Sequence, residues 1–104
     1  MRFAVNLYTT ENTKKKLSRI IGKLESKKIQ PGIWLITIAS NKENLLDIFR
    51  SVYYLQPIHE KANEDIVGIA ESEEAAKDLL VKIIEDVYER TGGFDVRTYF
   101  EFQE

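Results

Sequence analysis

Six polar residues carry the chemistry that this sequence offers to a small ligand: Thr9, Thr10, Ser40, Asn41, Glu71 and Ser72. Each lies where a strand pattern gives way to a helix pattern. The first turn of a helix leaves backbone N–H groups unpaired, and hydroxyls beside them suit an anion or a polar metabolite. The same six residues are equally good helix caps, which would close those hydrogen bonds internally. Two readings therefore stand for one pattern, a strand-end ligand site and a set of caps.

Other chemistry is hard to find. No glycine-rich phosphate loop, H-E-x-x-H or G-x-S-x-G motif occurs, and His59 is the single histidine. Zinc would need further nitrogen or sulfur ligands, so His59 reads as a solvated loop residue. Glu71, Glu73 and Glu74 sit at a helix start that favours negative charge, and Glu85, Asp86 and Glu89 fall mostly on the polar face of the same helix. Nothing pairs them for acid–base work. No catalytic residue, metal or cofactor is expected, and the reading leans away from an enzyme.

Partner signals are stronger. Lys14, Lys15, Lys16, Arg19, Lys23, Lys27 and Lys28 make the first helix basic opposite its apolar stripe. Lys15, Arg19 and Lys23 are its candidate contacts. Such a face attracts phosphates, yet no aromatic side chain interleaves to stack on bases, so nucleic acid is the weaker expectation. At the other end Tyr99, Phe100 and Phe102 fall in an alternating segment able to extend a sheet toward a partner or a second copy.

The chain has 104 residues, 43% hydrophobic and 31% charged, with a net charge of −2. That is enough for one globular domain over residues 1–104 with its own core. There are no cysteines, which excludes disulfides and thiolate chemistry. No secretory leader is visible, and the longest apolar run, 33–38, is far too short to span a bilayer. A cytoplasmic protein without a membrane segment is expected. The small net charge hides a contrast: residues 1–32 hold eight Lys/Arg against two acids, and residues 58–104 five against thirteen. The halves are expected to face and offset each other, or to mark an interaction surface.

The elements follow from periodicity. Arg2–Tyr8 alternates as a strand; Leu17, Ile20, Ile21 and Leu24 form a helical stripe in a helix from Thr10 to about Lys28. Gly22 within it marks a close backbone contact or a tolerated flaw. Residues 33–39 are apolar on both faces, as in an interior strand. Ser40 to Glu43 matches a capping box, predicting a second helix to about Gln56, although 51–58 also has strand composition. Residues 59–64 read as a loop and 65–70 as a buried strand, in which Gly68 implies a bulge or a close neighbour. A clear helix follows Ser72 as far as Gly92, and 94–102 alternates as an edge strand.

The resulting order, β-α-β-α-β-α-β, predicts an α/β fold with a four-stranded, largely parallel sheet covered by helices. The alternative is a ferredoxin-like α+β sandwich, with 41–64 as a long link. In either case the first two strands would be parallel, placing Thr9, Thr10, Ser40 and Asn41 at one end of the sheet. The leading functional expectation is a non-catalytic module acting through a protein partner or self-association. Ligand binding at the strand ends comes second, and nucleic-acid binding through the first helix third.

Overall fold

The computed structural model describes residues 1–39, 43–55 and 65–102. In chain order the elements are β1 (Arg2–Thr9), α1 (Glu11–Lys15), α2 (Leu17–Glu25), β2 (Trp34–Ile38), β3 (Leu46–Arg50), a 3-10 turn (Ser51–Leu55), β4 (Asp65–Ala70), α3 (Glu73–Thr91) and α4 (Val96–Tyr99). The sheet order is β1-β4-β2-β3. β1 and β4 pair in parallel, while β2 is antiparallel to both β4 and β3. The chain is therefore a small α+β domain with a mixed sheet, which corrects the expectation of a largely parallel one. It also corrects the first crossover, because β2 runs opposite to β4 and hence opposite to β1. The ferredoxin-like alternative is not confirmed.

Two segments explain the difference. The expected second helix is replaced by β3 and the 3-10 turn. Leu45, Ile48, Phe49 and Val52 fit a helical stripe, but Leu46 and Ile48 also alternate, and β2 has a flank whose backbone groups need a ladder. Pairing of Ile36 with Ile48 and of Leu35 with Phe49 meets that need, so tertiary context overrides local period. Gln56, Pro57 and Ile58, where strand and helix readings also competed, lie outside the described residues, as do His59 and its loop.

The expected C-terminal strand is mostly a helical turn. Asp95 caps α4, its carboxylate accepting from the Thr98 backbone at 3.2 Å and from the Thr98 hydroxyl at 2.6 Å. Val96 and Phe100, spaced i and i+4, are both buried. What remains of strand pairing is a bridge between Ala4 and Phe102, with the Val5 amide donating to the Glu101 carbonyl at 2.7 Å. A long bulge in β1 makes this possible, for Phe3 pairs with Ile66 and Tyr8 only two residues later in β4, with Gly68.

The sheet is covered on both faces. On one, Ile20 and Leu24 of α2 pack with Leu35, Ile66 and Ile69; on the other, Ala76, Ile83 and Val87 of α3 pack with Ile36, Val67 and Ala70. Burial of both faces explains why β2 and β4, apart from Thr37 and Asp65, carry no polar side chain on either face. Both expectations for Gly68 are realised. The register between β2 and β4 shifts beside it, and a Cβ at that position would sit 3.0 Å from Ile36 Cδ1. The single long N-terminal helix is broken at Lys16, whose φ of −117° leaves the helical range. α2 ends with Lys27 in the left-handed region, where the Lys28 amide donates to the Lys23 carbonyl at 2.8 Å. No helix among the described residues is long and apolar enough to cross a membrane.

Candidate functional site

The parallel pair brings part of the strand-end group together. Thr9 and Thr10 close β1, and Glu71 and Ser72 follow β4 at the same end of the sheet. Thr10 caps α1, accepting from the Thr13 amide at 3.2 Å, while its hydroxyl donates to the Glu71 carboxylate. The Thr13 side chain answers by accepting from the Thr10 amide at 2.9 Å, which completes a capping box, and its hydroxyl reaches the Ile69 carbonyl at 3.1 Å. Ser72 caps α3, accepting from the Ala75 amide at 3.0 Å. The oxygens of Thr10 and Ser72 are thus turned toward amides at helix starts, the arrangement that caps require. Antiparallel β2 ends at the opposite edge of the sheet, since Trp34 rather than Ile38 pairs with Ala70. Ser40 and Asn41 lie outside the described residues.

A second polar cluster was not legible as a site. Tyr8 on β1, Asp86 on α3 and Tyr99 on α4 meet through hydroxyls: Tyr8 Oη lies 2.7 Å from Asp86 Oδ2 and 2.7 Å from Tyr99 Oη. The hydrogen bond from Tyr8, together with Lys82 at 3.2 Å, holds the Asp86 carboxyl below its ordinary range. An ionised carboxylate only accepts, so Tyr8 donates to it and in turn accepts from Tyr99. Burial, with these two hydrogen bonds, pushes the Tyr8 hydroxyl far above its usual value. A phenol so reluctant to ionise cannot serve as a base near neutral pH; the cluster ties α3 and α4 to β1. Tyr99 and Arg90 border two open clefts, one of about 500 Å³ shared with Asn6, Thr91, Thr98 and Glu101, the other of about 370 Å³ shared with Asp86 and Glu89. Asp86 and Tyr99 lie 78 and 91 residues from Tyr8 in the chain, and no local pattern links the three.

The expected C-terminal contacts are drawn inward. Phe100 is a core residue with its ring edge-on to Tyr8, and Phe102 is half-buried with the Arg2 guanidinium 4.8 Å from its ring centre. The basic helix is the reverse case. Lys15, Arg19 and Lys23 are exposed, and residues 14–19 line a shallow depression of about 450 Å³. Among the described residues the ion pairs join Arg2 to Asp65, Lys77 to Glu73 and Lys82 to Asp86, and none includes a cation of α1 or α2. Arg2 and Asp65 link the two charged halves at the sheet, but the basic helix α2 and the acidic helix α3 do not meet, because they cover opposite faces of it. Residues 11–28 hold seven Lys/Arg against Glu11 and Glu25, whereas residues 71–91 hold seven carboxylates against Lys77, Lys82 and Arg90. The sheet and both of its cores separate these exposed layers, and solvent-exposed charges farther apart than the Debye length, about 8 Å at physiological ionic strength, are largely screened, so the layers hardly offset each other.

Among the described residues no group of three His, Cys, Asp or Glu side chains is placed to hold a metal ion. No protein-family model, no curated protein and no solved structure matches the chain.

Proposed function

We propose that the protein is a non-catalytic binding module, acting as one domain, whose basic α1–α2 surface receives an acidic protein surface. One observation carries the reading: the cations of this surface have no ion-pair partner among the described residues and lie across the sheet from the acidic helix. An acidic protein surface is favoured over nucleic acid because no aromatic residue occurs between Glu11 and Lys28 to stack on bases. The cysteine-free sequence agrees with a cytoplasmic setting.

Fluorescence anisotropy with a labelled polyglutamate peptide tests the proposal. Binding at low salt that weakens as salt rises, and weakens further in the double variant Arg19→Glu/Lys23→Glu, is expected. Absence of binding at low salt, or binding indifferent to the charge reversal, overturns it.

A further inference from the structure

The outward face of α3 is as unusual as the basic layer. Glu74, Asp78, Glu85 and Glu89 follow one another at intervals of four, seven and four residues, and all four are exposed. Spacings of three, four and seven bring side chains to one side of a helix. Between and beside them Val81 is 54% exposed and Tyr88 55%, the Tyr88 ring 5.5 Å from that of exposed Phe94. Apolar side chains set among acids give a surface that gains from being covered by something basic.

The exposed face of α2 in the same sequence has that chemistry. Arg19 and Lys23 are four residues apart, as are Glu85 and Glu89, so each pair spans about 6 Å along its helix axis. Between Arg19 and Lys23, no atom of the described residues beyond its own helix lies within 4 Å of where a Cβ of Gly22 would project, which leaves a shallow floor for a bulky side chain. The two surfaces lie on opposite faces of one sheet, so a molecule cannot satisfy its own. We propose that a second copy of this chain is the acidic partner: α3 of one molecule docks on α1–α2 of the next. This rests on the binding reading above and names its occupant. The patches differ, so the contact is head-to-tail rather than two-fold, and it propagates unless a ring closes. α2 has only nine residues, about 14 Å of helix, which sets the contact at the weak end of the range.

Sedimentation equilibrium over a range of protein concentrations, at low salt and at about 1 M where the Debye length is about 3 Å, is the experiment. The wild type is expected to rise above its 12.1 kDa monomer mass with concentration at low salt and to return to it at high salt. Arg19→Glu/Lys23→Glu and Glu85→Lys/Glu89→Lys should each weaken association about tenfold or more, and an equimolar mixture should regain it, since each variant retains the face the other has lost. Circular dichroism confirms that both variants are folded. A wild type that stays at monomer mass under all conditions, or one whose association ignores salt and both reversals, overturns the proposal. Should that monomer still bind polyglutamate through Arg19 and Lys23, the self-docking alone falls and another acidic protein is the occupant; should it bind nothing, both readings fall together.

Discussion

The hydroxyl of Tyr8 lies 2.7 Å from the Asp86 carboxylate, and this contact joins β1 to α3 across 78 residues of chain. It makes stability depend on pH at two ends of the scale. The Asp86 carboxyl is depressed in the folded state, so its contribution is present above the unfolded value near 4 and is lost as pH falls through the folded one. Tyr8 is raised, so its contribution is complete below about 10 and declines as pH climbs past that value. Urea midpoints should therefore fall on both sides of a broad plateau. Tyr8→Phe should lower the plateau by about 1–3 kcal/mol, since it also removes the acceptor of Tyr99. Asp86→Asn should flatten the acid limb, a change that circular dichroism during acid titration would reveal.

Gly68 faces Ile36 with no room for a methyl group, the nearest carbon lying 3.0 Å from where a Cβ would project. Gly68→Ala must displace Ile36 in the centre of the sheet, and a loss of about 1–3 kcal/mol is expected from denaturant unfolding. Combining it with Ile36→Val, which removes the nearest of those atoms, should restore part of the loss; a fully additive double variant would count against this explanation.

Helix α2 and the turn that ends it offer two positions that local chemistry could improve. Gly22 meets nothing within 4 Å, so Gly22→Ala should raise stability by about 1 kcal/mol through helix propensity alone. Lys27 occupies the left-handed region at φ 56°, a conformation that suits glycine, and Lys27→Gly should add about 1 kcal/mol by relieving it. Thermal melts of the two variants should both shift upward.

Thr13 and Thr37 are both almost fully buried and predict opposite outcomes for the same substitution. The Thr13 hydroxyl links α1 to the Ile69 carbonyl and completes the capping box, so Thr13→Val should cost about 1–3 kcal/mol. The Thr37 hydroxyl has no hydrogen-bond partner among the described residues, so Thr37→Val, nearly equal in shape, should be neutral or stabilising by up to about 1 kcal/mol. Urea titrations of the two variants would settle the comparison.

What could be read from the chain depended on whether its cause was local. The caps Thr10 and Ser72, the apolar stripes of α2 and α3 and the buried strand around Gly68 arise from neighbours in sequence, and all were legible. β3 was not, because Leu45, Ile48 and Phe49 keep helical spacing while Leu46 and Ile48 alternate, and the deciding factor is the open flank of β2. In the last segment the alternation of Val96, Thr98, Phe100 and Phe102 masked the Asp95–Thr98 cap and the i, i+4 pair of Val96 with Phe100. A cap three residues ahead of its partner was the available signal. The Tyr8–Asp86–Tyr99 cluster depends wholly on tertiary placement. The charge contrast was visible, but among the described residues ion pairing between the halves is limited to Arg2 with Asp65, because composition does not say on which face of a sheet a helix lies.

β1 takes its ladder partners from Asp65–Ala70 and from Phe102. On a nascent chain this earliest strand therefore has nothing to pair with until more than sixty further residues have been made, whereas β2 and β3 can zip together as neighbours. Long-range closure of this kind slows folding. β1, made before the other strands of its sheet, is thus among the last to be seated, and while it waits its exposed amides and carbonyls are open to misdirected pairing.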